Sequence, residues 1–108
     1  MKTLNSVKWI DPKGVKADIN FFEGLIDDYI NRNLGSIQFI MHTKTMIARV
    51  TRISKDGSRV ADLSMLEYRL DKLLARTRVL EDEEHVRLKV RDIADEVIEH
   101  MYKEYVKL

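Results

Sequence analysis

The sequence predicts an α+β domain: an N-terminal helix, a three-stranded antiparallel sheet with a tight Asp-Gly hairpin, and two C-terminal amphipathic helices packed on that sheet. Three observations predict it. Residues 64–108 hold neither Gly nor Pro and carry apolar residues at spacings of three and four, as helices that bury one face do. Residues 45–53 alternate: Met46, Ala48 and Val50 against Ile47, Arg49 and Thr51, the period of a half-buried strand. Asp56-Gly57 lies between two such stretches, and Asp-Gly readily supplies the positive φ angles of a tight hairpin.

Taken in order, residues 4–10 alternate weakly and read as a short strand, with Trp9 covering a core edge and Pro12 and Gly14 marking a turn. Phe22, Leu25, Ile26, Tyr29 and Ile30 then share a helical face. Asn20 with Glu23 forms a capping-box pattern, Asp18 competes as the cap, and Gly35 suits the left-handed residue that ends the helix. Gly24, inside the helix, is expected to allow close packing of a neighbour. Residues 37–42 are apolar and β-prone, a central strand; a polar break at Thr43 and Lys44 separates them from strand 45–53. Arg59–Leu63 pairs back across the hairpin.

Ser64-Met65-Leu66-Glu67 matches a capping box, and Leu66, Leu70, Leu73, Leu74 and Thr77 form the buried stripe of the helix it opens. The stripe restarts out of phase at Val86, Val90, Ile93, Val97 and Met101, so the chain breaks near 81–84, where an acidic run suits a new helix N-terminus. Residues 86–91 also alternate like a strand; the reading is helix through 85–91 and from Ile93 onward.

Length and composition fit a single domain spanning 1–108. Its 44% apolar residues exceed what disordered chains carry. With no cysteine, thiolate metal sites and disulfides are excluded. The N-terminal residues lack the apolar core of a secretory signal, and no apolar run reaches the length of a membrane span, so a cytoplasmic protein with no membrane partner is expected. Net charge is +1 but unevenly spread: residues 42–80 hold nine basic and four acidic side chains (+5), residues 81–108 five and nine (−4).

No catalytic motif emerges. There is no Gly-x-Ser-x-Gly, and the four glycines are isolated, which removes phosphate-binding loops. His42, His85 and His100 are the only imidazoles; Glu96, His100 and Glu104 share a helix face but lack ligands from a second element. The reading is not an enzyme, with no cofactor and no metal. The basic middle carries the functional colour: Lys44, Arg49, Arg52, Lys55 and Arg59 on or beside the hairpin, then Arg69, Lys72, Arg76 and Arg78 on the second helix.

The order helix, three strands, helix over Asp18–Leu80 resembles the double-stranded-RNA-binding domain in topology. That family's lysine-rich start to its last helix is replaced here by Ser64-Met65-Leu66-Glu67, which removes the residues that grip phosphate.

The sequence thus leads to a non-catalytic macromolecule-binding protein with an interaction or regulatory role. It is expected to bind a protein partner and to form a homodimer through the wide C-terminal stripe (Val97, Met101, Tyr102 and Tyr105). The alternative is a nucleic-acid-binding module using the hairpin cations and the second helix.

Overall fold

The computed structural model describes residues 12–80 and 83–106, and the side chains of 16–77 and 83–103. The expectations for residues 4–10 and Trp9, and for the side chains of Arg78, Glu104 and Tyr105, lie outside these. The described residues form four helices: α1 (Pro12–Ile30), α2 (Ser36–Ile53), α3 (Gly57–Leu80) and α4 (Glu84–Val106). The described residues contain no strand. The α+β expectation is therefore corrected to an all-α fold, and the resemblance to the double-stranded-RNA-binding domain falls with the sheet.

The segment 36–53 is one helix because its buried side chains follow a 3.6-residue period. Ser36, Phe39, Ile40, Thr43, Met46, Ile47 and Val50 are all buried. The period is visible only if Thr43 counts as a core residue. Its hydroxyl donates to the Phe39 carbonyl at 2.9 Å, one turn back, which removes the cost of burying it. Read as a polar break, Thr43 splits the helix into two β-prone fragments. The hairpin fails for a related reason: Asp56 is a helix N-cap. Its Oδ1 accepts from the Ser58 amide (3.0 Å) and the Arg59 amide (3.4 Å), and its carbonyl accepts the first intrahelical bond from Val60 (3.0 Å). No described glycine has positive φ, so Gly57 opens a helix instead of turning a hairpin. Arg59–Leu63 forms the first turns of α3, and Ser64 lies exposed within it.

α1 begins at Pro12, earlier than the Asn20 and Asp18 caps predicted, with Pro at a position where its missing N–H is harmless. Two residues past its end, Arg32 takes the left-handed conformation (φ 64°) foreseen for Gly35. The Asn33 amide donates to the Asp28 carbonyl at 2.8 Å and the Arg32 amide to the Tyr29 carbonyl at 3.1 Å, a Schellman ending. Gly35 instead caps the start of α2. Gly24 is exposed, and a Cβ there would meet nothing within 4 Å, so it serves no close packing.

The helices run up and down in sequence. α2 packs on α3, α3 on α4, and α4 back on α1; α2 and α4 also touch across the short diagonal. That placement explains the widths of the buried stripes. α3 buries a narrow seam, Leu63, Leu66, Leu70, Leu73 and Thr77, alternating three and four residues apart. α4 buries Val86, Arg87, Val90, Ile93, Ala94, Val97 and Met101, a broader stripe, because three helices cover it. Tyr29, Phe22 and Phe39 form an aromatic stack in the core, with ring centroids 4.3 Å apart for Tyr29–Phe39 and 6.0 Å for Phe22–Phe39.

Candidate functional site

With α3's seam turned inward, the spacing of its other residues places Met65, Tyr68, Arg69, Lys72 and Arg76 on its outer side and its α4 flank. Met65 and Tyr68 are 60% and 54% exposed, well beyond what a core-directed residue of either type shows. Between this flank and α4 lies a cleft of about 450 Å³. Its α3 wall is Arg69, Lys72, Leu73 and Arg76, and its α4 wall is Lys89, Asp92 and Ile93. Leu73 and Ile93 are buried and form the floor, while Arg69, Lys72, Arg76 and Lys89 are exposed along the walls.

The cleft therefore carries four cations against one carboxylate. Arg69 reaches Glu96 across the helices at 3.5 Å, and the Lys72 ammonium sits 4.7 Å from the centroid of the Tyr68 ring. Arg76 and Lys89 engage no carboxylate among the described residues. A concave apolar floor with like charges on its rim is built to receive an anionic group attached to an apolar body.

The five cations predicted on a hairpin do not converge. Lys44 faces α3 and binds Asp71 at 2.6 Å. Arg49, five residues on and so about 140° around α2, lies on the α1 side beside Asp18, and burial lowers its pKa. Arg52 is exposed in the last turn of α2, where a cation complements the helix dipole. Lys55 is exposed in the short linker, and Arg59 is buried with Asp56 at 4.0 Å.

The expected dimer residues are likewise dispersed. Val97 and Met101 are fully buried in the chain's own core, because the wide stripe of α4 is covered by α1, α2 and α3 together. Tyr102 is exposed, and its hydroxyl donates to Glu23 at 2.5 Å, which raises its pKa.

Sequence reasoning found the three α3 cations but missed Lys89 and Asp92, which join the site only through the register of α3 against α4. It also missed two buried charges. Arg87 lies under the end of α1. Asp18 is fully buried within α1, and neither of its oxygens has a hydrogen-bond partner among the described residues. Burial pushes the Asp18 pKa up to about 7, opposed by the nearby Arg49 charge.

His100 is half-buried. Its pKa is lowered by burial and by Lys103 and Arg59, while Asp62 and Glu99 act the other way. No three His, Asp or Glu side chains among the described residues gather in a metal-binding arrangement. A second, acidic cleft lies between α1 and α4, where Glu23, Asp27 and Asp95 flank Ile26 and Ile98.

Comparison with protein-family models, curated proteins and solved structures finds no match in any of the three. No helix among the described residues is long and apolar enough to cross a membrane.

Proposed function

We propose that this protein is a non-catalytic docking module, acting in the cytoplasm, that binds an anionic surface of another macromolecule through the cleft between α3 and α4. The observation that carries this reading is the convergence of Arg69, Lys72, Arg76 and Lys89 over an apolar floor. The exposed Tyr68 and Met65 beside them add the residue types enriched at interfaces, Tyr, Met and Arg. Of the cations that the nucleic-acid alternative invokes, those expected on a hairpin scatter around α2 and the start of α3, while Arg69, Lys72 and Arg76 of the second predicted helix line this same cleft.

The test is a salt titration of binding to three anionic polymers: polyglutamate, duplex DNA and duplex RNA. Retention on at least one at low salt is expected, weakening as salt rises. Reversing both Arg76 and Lys89 to Glu, two exposed side chains, should abolish it while leaving the helical circular dichroism unchanged. A wild-type chain that none of the three retains at low salt overturns the reading.

A further inference from the structure

We infer that the macromolecule this cleft receives is a protein, and that the docking element is an acidic amphipathic helix laid along the groove between α3 and α4. This rests on the docking reading above and specifies its partner.

Three features of the groove favour a helix with carboxylates over a phosphate backbone. Its base is Leu73 and Ile93, two aliphatic side chains that satisfy no phosphate and invite an apolar side chain. Its cations stand along the rim on both walls, Arg69 and Arg76 on α3 and Lys89 on α4, so they flank whatever lies on the floor. Asp92 sits on the same rim. A uniform polyanion would be repelled there, whereas a peptide of mixed sign places a Lys or Arg against it.

The groove also has a helix's dimensions. Its α3 wall runs from Arg69 to Arg76, seven residues on, about 10 Å at 1.5 Å per residue. That matches about two turns of a bound helix, which would present an apolar residue to the floor at each i, i+3/i+4 step. α2 already fills the opposite side of the α3–α4 pair. A helix in the outer groove would repeat that packing.

The experiment uses the full chain and fluorescence anisotropy. The probes are a synthetic amphipathic helix with Leu on one face, Glu on the others and one Lys among the Glu to meet Asp92, the same peptide with Ala replacing Leu, and a third with Lys replacing every Glu. Duplex DNA and polyglutamate serve as comparison polyanions. The Glu/Leu helix is expected to bind at least tenfold more tightly than the Ala or Lys peptides and than either polyanion. Arg76→Glu with Lys89→Glu should cost at least tenfold, and Arg52→Glu, on α2 away from the groove, should cost nothing. Since both groove residues are exposed, unchanged circular dichroism separates lost binding from lost fold.

Duplex DNA or polyglutamate binding as tightly as the Glu/Leu helix, with the same loss in the double variant, overturns the helix inference and leaves the cationic-cleft reading standing. Equal binding of the Glu and Lys helices reduces the groove to an apolar surface and overturns the inference. A wild-type dimer by light scattering that the double variant dissolves makes a second copy the occupant, which also overturns it. Binding to none of the probes or polyanions removes both readings.

Discussion

The guanidinium of Arg87 lies over the ring of Tyr29, 4.1 Å from its centroid, and donates to the Tyr29 carbonyl and, at 3.2 Å, to the Leu34 carbonyl. One α4 side chain thus satisfies a carbonyl at the end of α1 and another in the turn to α2. Helix ends leave such carbonyls without intrahelical partners, and they carry the negative end of the dipole, where a cation is favoured. The Tyr29 hydroxyl, bonded to Ser36 at the start of α2, closes the same junction from the other side. Arg87 is 7% exposed, so its charge is held away from water at this junction.

Arg87→Ala should therefore destabilise the fold by about 2–4 kcal/mol, from lost charge-assisted hydrogen bonds and lost contact with the ring. Arg87→Lys should recover little of it, since a single ammonium cannot reach two carbonyls while stacking flat on an aromatic face. Chemical denaturation of the two variants checks this; a Lys variant as stable as wild type would reduce the role of Arg87 to its charge.

This junction also shows why the sequence was only partly legible. The stripes of the last two helices could be read because their leucines, valines and isoleucines keep helical spacing without interruption, and the break before Glu84 followed from their phase. Arg87 could not be read: within Val86–Arg91 it looks like the polar half of an alternating strand, and nothing local shows that the end of α1 will cover it. α2 was lost to one residue, Thr43, whose hydroxyl is satisfied by its own helix. The cleft was half legible. Arg69, Lys72 and Arg76 follow from the phase of α3, but Lys89 reaches them only through antiparallel packing, a tertiary fact.

Asp18 makes stability depend on pH in the opposite sense to an ion-paired carboxylate. Its pKa in the folded chain is pushed to about 7, against an ordinary value of 3.8. Between those values the folded state binds the proton and the unfolded state does not. The stabilisation is full below the ordinary value and is lost as pH rises through about 7. The loss is bounded at about 4 kcal/mol, since each pKa unit corresponds to about 1.4 kcal/mol. Asp18→Asn, neutral throughout, should flatten this slope and exceed wild type in urea midpoint at pH above about 8, where Asp18 is charged and buried. Comparing the two chains isolates Asp18 from His100, whose lowered pKa removes stability as pH falls and is common to both. Parallel stability curves for wild type and Asp18→Asn from acid to alkaline pH would sink this account.

The start of α3 offers a direct contrast between the helix found here and the hairpin the dipeptide suggested. In a tight Asp-Gly turn, Gly57 needs positive φ, and Ala would cost about 1 kcal/mol or more. As the first residue of a helix, without positive φ and with open space around its Cα, it should accept Ala at no cost or with a small gain. Asp56→Ala should instead lose about 1 kcal/mol, because the Ser58 and Arg59 amides lose their acceptor. Gly24→Ala supplies the internal standard: exposed within α1, with nothing near its added methyl, it should stabilise by about 1 kcal/mol. Thermal melts of the three single variants should therefore order as Gly24→Ala above wild type, Gly57→Ala at or slightly above it, and Asp56→Ala below. A Gly57→Ala variant that falls below Asp56→Ala would mean that the chain turns at this point instead of starting a helix.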